Sequence, residues 1–187
     1  RINTGDACHE VLSAELQAYA GTTVTVEEGK EIEPVRQMKW VTAGNAYKLG
    51  ADKRTLRKSE TLKELHEWMM KNTDNGNITR QEAVSMVPPL ALDVQPHHVV
   101  LDMCAAPGSK TTQMMEIIDQ SLLASPGCEH NNGLVVANDA DTDRSYMLVH
   151  QTRRMNSPLL LICTHKGQNI PKIRPTDALS GPGGGLS

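Results

Sequence analysis

The sequence contains no phenylalanine, and two Trp and three Tyr complete its aromatic inventory in 187 residues. Any core is therefore aliphatic, and nine Met imply adaptable rather than stiff packing. No apolar run approaches the ~20 residues that a helical membrane span requires. The four cysteines, Cys8, Cys104, Cys128 and Cys163, form no C-x-x-C pair and have no His at ligand spacing. That pattern argues against a disulfide framework and against a zinc site. The first residues, R-I-N-T-G-D, lack the charged-then-apolar design of a signal peptide, so the expected location is the cytosol or nucleus. Nor is there an excess of positive charge. Nineteen Lys and Arg stand against 22 Asp and Glu, for a net charge of −3, which speaks mildly against a nucleic-acid binder unless a basic patch is concentrated locally.

What is present reads as one globular unit with an appendage, at 39% hydrophobic and 22% charged residues. Residues 11–19 predict an amphipathic helix and 22–26 a short β-branched strand. No period emerges between Pro34 and Gly50. From Ser59, an expected N-cap, Leu62, Leu65, His66 and Met69 recur at helical spacing. The turn formers of 72–77 close that helix. A short helix is expected over 81–86, stopped by Pro88-Pro89.

The texture then changes. Residues 98–101 form a short apolar run ending in Asp102, as a buried parallel strand does. A small-residue turn at 104–109 leads into a helix over 110–123, followed by a loop at 125–132. A second strand at 133–137 ends in Asn138-Asp139, a helix covers 143–155, and a third strand occupies 159–163. Strand, helix, strand, helix, strand predicts a right-handed α/β arrangement around a parallel sheet. The glycine-rich end, 181–185, is linker-like.

Ligands of such sheets sit beyond the carboxyl ends of the strands. Here those ends carry Asp102, the turn Cys104-Ala105-Ala106-Pro107-Gly108-Ser109-Lys110, and Asp139. A turn that opens a helix offers free N–H groups and a positive dipole end. Gly108 is expected to let backbone approach a ligand. The Asp139 carboxylate is placed to accept hydrogen bonds from a ribose diol. One Gly in place of G-x-G-x-x-G does not indicate tight pyrophosphate packing, and the competing explanation is a small-residue turn that serves helix–sheet packing alone.

The literal string D-M-C-A-A-P-G-S-K-T-T-Q at 102–113 resembles the cofactor motif of the Sun-type RNA cytosine-5 methyltransferases. G-N-I-T-R-Q-E-A-V-S-M-V-P-P-L at 76–90 and V-V-A-N-D-A-D at 135–141 are similar to flanking segments of that family. T-L-R-K-S at 55–59 and Y-M-L-V-H-Q at 146–151 resemble its eukaryotic tRNA-methylating branch. The resemblance implies a Rossmann-like S-adenosylmethionine-dependent fold with a partial parallel sheet and an N-terminal, mostly helical extension. It implies S-adenosyl-L-methionine as cofactor, RNA (tRNA in particular) as partner with no membrane, and a nuclear location. Expected segments are an extension over 1–58 that contacts RNA, a partial methyltransferase domain over 59–174, and a flexible tail over 175–187. Cys104, Ala105, Ala106, Pro107, Gly108, Ser109 and Lys110 would surround the methionine part of the cofactor and Asp139 its ribose. Where the family has an Asp for the adenine amino group, this sequence has Lys166, which donates only.

The resemblance also implies two catalytic cysteines, in Thr-Cys and Pro-Cys dipeptides, and neither dipeptide occurs here. The reading is thus a methyltransferase by family whose present residues include no catalytic one. The alternative is an inactive, truncated form that binds RNA or protein. A nicotinamide oxidoreductase is a third reading, opposed by the lone Gly. Cys104 as a nucleophile is weighed against a role in the cofactor wall, and the wall is preferred. Cys163 is expected in the core, and His97-His98 as a surface pair. Lys53, Arg54, Arg57, Lys58 and Arg153-Arg154 are read as solvated at least as readily as RNA-contacting. Trp40 and Tyr47 are expected to pack rather than to stack on bases.

Overall fold

The computed structural model describes residues 1–4, 8–26, 29–41, 43–124 and 133–172. Two bodies, each with its own apolar core, follow one another along the chain.

The first body begins with helix α1, His9–Gln17, which buries Leu12 and Leu16 at the i, i+4 spacing of one helix face. Two antiparallel strand pairs follow: β1, Val24–Thr25, with β2, Glu31–Ile32, and β3, Val35–Gln37, with β4, Tyr47–Leu49. Helix α2, Lys53–Lys58, and helix α3, Lys63–Asp74, complete it. Ile2, Leu12, Leu16, Val35, Leu56, Leu62, Leu65, Met69 and Ile78 close into a single cluster. Side chains buried this fully stabilise the fold by about 1.5–3 kcal/mol each, as an upper bound.

Three expectations are corrected in this region. The extension is not mostly helical. Its strands are two or three residues long, too short for alternation to register in the sequence, and two of them lie at the ends of the stretch that showed no period. Ser59 caps no helix with its side chain. It ends α2, and its hydroxyl lies 2.7 Å from that of Thr61. Helix α3 has no side-chain cap, and it is α2 that is capped, by Asp52, whose carboxylate accepts from the Thr55 N–H at 2.7 Å. Pro88-Pro89 does not stop a helix either. Both residues sit in the first turn of α4, Val87–Ala91, where a missing N–H costs nothing, after a 3-10 turn over Ala83–Met86.

The second body is the parallel sheet. Strands β5, Val99–Asp102, β6, Leu134–Asn138, and β7, Leu160–Cys163, lie in the order β5-β6-β7. Helix α5, Ser109–Ala124, connects the first two, and α6, Thr142–Thr152, continued by a 3-10 turn over Arg153–Met155, connects the last two. Register pairs Val100 with Val135 and Val135 with Leu160, so these three share a face. That face packs on Met114, Met115 and Ile118 of α5, and its continuation at Ala137 and Ile162 packs on Leu148 of α6. The opposite face, on the row Leu101, Val136, Leu161, leaves Val99 46%, Leu101 45% and Leu161 45% exposed. Among the described residues no helix is long and apolar enough to cross a membrane. The loop expected at 125–132 and the tail lie outside the described residues.

A buried ion pair joins the bodies. The Arg1 guanidinium donates Nε to Glu116 Oε2 and Nη2 to Glu116 Oε1, both at 3.0 Å, and the Thr79 hydroxyl donates to Oε1 at 3.1 Å. Both charged side chains are almost wholly buried, so each depends on the other.

Candidate cofactor site

At the carboxyl edge of the sheet the chain leaves β5, makes the 104–108 corner and enters α5. One of its bonds reaches the end of β6, Ala105 N donating to Asn138 O at 2.8 Å, and one closes the turn itself, Gly108 N donating to Ala105 O at 2.7 Å. Thr111, in the first turn of α5, donates its hydroxyl to Asp102 Oδ2 at 2.8 Å and ties the helix back to the strand it follows. By helix geometry the N–H groups of Ser109, Lys110 and Thr111 have no intrahelical carbonyl. An anionic group placed there meets donors and the positive end of a 16-residue helix.

Asp139 is brought directly onto this corner. Its Oδ2 accepts from Ala106 N at 3.2 Å and its Oδ1 from Asp141 N at 3.1 Å. Arg144 closes the pinch, donating Nη2 to Ala106 O at 2.7 Å while standing 3.6 Å from Asp139 Oδ2. Asp139 is only 3% exposed. Two backbone bonds leave half of the roughly four acceptor positions of a carboxylate free, and these are what a diol would use.

The predicted residues divide by exposure. Cys104 and Pro107 are exposed, Ser109 and Lys110 half-buried, and Ala105, Ala106 and Gly108 buried. Gly108 does not play the part expected of it. Its φ is +108°, and a Cβ there would lie 2.8 Å from Leu148 Cδ1 and 3.4 Å from Thr152 Cγ2. The missing side chain makes room for α6 rather than for a ligand. Lys166 is exposed and precedes a 3-10 turn over Gly167–Asn169. Cys104 is exposed on the corner, five positions before α5 starts at Ser109.

Sequence reading missed the residue that holds the strand ends together. Asn138 is fully buried; its Nδ2 donates to Met103 O at 3.1 Å and His165 O at 2.8 Å, and its Oδ1 accepts from His165 N at 2.9 Å. The Cys163 thiol also donates to Oδ1, at 3.4 Å, and its burial raises the thiol pKa above the usual range, which keeps it a thiol. An Asn ending an apolar run was the available signal, read only as the neighbour of Asp139. Arg144, five positions along, carried none. His98 Nδ1 accepts from Gln95 N at 3.1 Å, and its ring meets His97 edge-on at 4.7 Å. Trp40, expected to pack, is 48% exposed, and Tyr47 is half-buried.

Residues 89–178 match the family model described as 16S rRNA methyltransferase RsmB/F. That span contains the corner, Asp139 and Lys166. The chain belongs to the Sun-type methyltransferase family. It is 46% identical over 166 residues to a multisite-specific tRNA:(cytosine-C(5))-methyltransferase of Schizosaccharomyces pombe, covering 83% of this chain and 24% of that protein. Against the multisite-specific tRNA:(cytosine-C(5))-methyltransferase of Saccharomyces cerevisiae it is 42% identical over 174 residues, covering 91% and 25%. Similarity to these Sun-type relatives therefore takes in the N-terminal body as well as the sheet, and the chain spans about a quarter of their length. Among solved structures, that of PH0851 superposes with a TM-score of 0.58 at 25% identity, covering 91% of this chain and 30% of that one. A methyltransferase homolog from Pyrococcus horikoshii gives 0.55 at 22% identity, covering 87% and 42%, and supports the α/β Rossmann-like fold.

Proposed function

We propose that this chain supplies the S-adenosyl-L-methionine-binding part of an RNA cytosine-5 methyltransferase that acts on tRNA. The observation that carries the proposal is the 3.2 Å bond from Ala106 N to Asp139. It brings the small-residue corner and the acid ending the second strand together, as gripping one nucleoside requires. The residues fit the group: helix N–H groups at 109–111 without an intrahelical carbonyl for its carboxylate, and the exposed wall at Cys104 and Pro107 for its methionine chain. For its ribose there are the acceptor positions of Asp139 that the backbone bonds leave over, on a side chain that a diol reaches only at its 3% exposed edge. When bound, the cofactor supplies a methyl group on a positively charged sulfur. The chain's own part is capture and orientation. Asn138 and Thr111 fix the strand ends, and Arg144 holds Asp139 against the corner.

The names of the relatives support tRNA as the substrate and cytosine C5 as the target. No residue in the present sequence is assigned the attack on cytosine, because it contains neither a Thr-Cys nor a Pro-Cys dipeptide. The domain boundary belongs near residues 80–90, since α3 packs in the N-terminal core with Leu62, Leu65 and Met69. A nuclear location rests on the resemblance to the eukaryotic tRNA branch, and imaging the tagged chain tests it. A second reading, a non-catalytic binder of RNA or protein, is favoured by the half-exposed apolar row Val99, Leu101, Leu161.

Calorimetric titration with S-adenosylhomocysteine, and separately with NAD, tests the first reading. The expected result is binding of the former, weaker than low micromolar because Lys166 cannot accept from the adenine amino group, and none of the latter. Lys166→Asp should tighten binding about 5- to 150-fold, the equivalent of one hydrogen bond of about 1–3 kcal/mol. NAD binding in preference to S-adenosylhomocysteine overturns the assignment. Methyl transfer to unmodified tRNA by these 187 residues alone would overturn the absence of a catalytic residue.

A further inference from the structure

A cleft of about 670 Å³ opens between the β3–β4 pair, α3 and the 78–86 segment, with Met38, Trp40, Tyr47, Lys48, Trp68 and Arg80 on its wall. A second, of about 430 Å³, runs from Gly76 past Pro107 and Ser109 of the corner to Gln151 and Arg154. Ile78, Thr79 and Arg80 line both, so the two clefts adjoin at Arg80, one reaching the corner and the other Trp40.

The charge on the cleft walls differs in sign from the net −3 of the chain. The larger cleft has Lys48 and Arg80 on its wall against one carboxylate, Glu82, the Arg1 guanidinium being held by Glu116. The smaller cleft has Arg80 and Arg154 and no carboxylate. Lys39, Lys48 and Arg80 are exposed. Exposed cations beside an aromatic face are what single-stranded nucleic acid recognises, phosphates on the cations and a base on the ring. In a chain with five aromatic residues, leaving one Trp half-exposed on a basic turn removes from the core what the core most lacks.

We infer that these two clefts form a track for a single-stranded RNA segment next to the nucleotide presented at the corner, with one base stacked on Trp40 and the adjoining phosphates on Lys39, Lys48 and Arg80. The inference rests on RNA being the partner, as proposed above, and does not depend on the cofactor site. Its occupant is RNA rather than protein because the accessible charge along both walls is positive, Lys48, Arg80 and Arg154 against the single carboxylate of Glu82, beside a half-exposed Trp ring.

The test is fluorescence anisotropy of the 187-residue chain with a tRNA transcript and with oligouridine, over a range of salt concentrations. Trp40→Ala, at an exposed position, should weaken oligouridine binding about 5- to 150-fold, the range for loss of one stacked base. The double variant Lys39→Ala/Lys48→Ala should flatten the logarithmic salt dependence by about 1.5 for two lost phosphate contacts. Neither should change binding of S-adenosylhomocysteine or the melting temperature. In Trp68→Phe, which leaves Trp40 as the sole Trp, oligouridine should quench the remaining Trp emission. Wild-type affinity in Trp40→Ala, or an unchanged salt slope in the double variant, overturns the track. So does self-association that depends on Trp40 in the absence of an RNA shift. If S-adenosylhomocysteine binds and RNA does not, this inference fails while the cofactor assignment stands. If RNA binds with these variant effects and S-adenosylhomocysteine does not, the cofactor assignment fails and the track stands.

Discussion

The two faces of the parallel sheet are made of the same kind of residue and end in opposite states. Val100, Val135 and Leu160 pack under α5, while Val99, Leu101 and Leu161 on the two outer strands of the opposite face stay about half exposed, with only Val136 of the central strand covered, at 2%. The alternation of strand side chains therefore sets a fully packed face against one whose outer strands are half exposed. The site belongs to the packed face. Its corner is held by α5 through Thr111, by α6 through Leu148 against Gly108, and by Asn138 across the strand ends. The corner keeps its geometry because the elements behind it are packed.

The largest effect that should separate the faces comes from the covered side. Glu116→Ala leaves the Arg1 charge buried and unpaired, and is expected to lower stability by about 3–5 kcal/mol in chemical denaturation. A loss under 1 kcal/mol would mean that the N-terminal body does not stiffen α5. Gly108→Ala comes next, at about 2–4 kcal/mol, because the new Cβ meets Leu148 on a backbone with φ +108°. If the packing reading of Gly108 is right, Leu148→Ala should recover part of that loss in a double-mutant cycle. Additive losses would return Gly108 to a ligand-approach role.

On the open face, Leu101→Ser should change stability by no more than about 0.5 kcal/mol and should reduce any self-association seen by light scattering, since the row is an apolar patch. A cost of several kcal/mol would show that something covers that face. The smallest effect concerns Asp119 on α5. Burial raises its pKa above the ordinary aspartate value, against a hydrogen bond from Ser157 that lowers it. The folded chain thus holds that proton more tightly than the unfolded one. The stabilisation is complete below the unfolded pKa and is lost as pH rises through the raised folded value. Asp119→Asn should flatten that part of the pH–stability profile, and an unchanged profile would count against it.

The sheet was legible because three apolar runs, each closed by a polar residue and separated by helical stretches, leave little choice of topology. The corner was legible because its string is distinctive. What escaped has physical causes. Strands of two or three residues, such as Val24–Thr25 and Tyr47–Leu49, show no period. Asp52 capped a helix in which, among the described residues, only Leu56 is buried, so no apolar periodicity announced it. Pro88-Pro89 is a stop inside a helix and a start at its first turn, and composition does not say which. Gly108 showed that a turn needs a glycine but not which neighbour demands it. That Asp139 would be spent partly on the corner's own N–H groups is a tertiary fact, invisible along the chain.

Amide chemical-shift mapping during titration with S-adenosylhomocysteine tests the central claim most directly. The account predicts that the largest perturbations fall on the corner (residues 104–106 and 108–110), on Asp139 and Asp141, and on 164–167, with the open face and the Trp40 cleft unmoved. Saturable binding whose perturbations leave the corner and Asp139 untouched would contradict it.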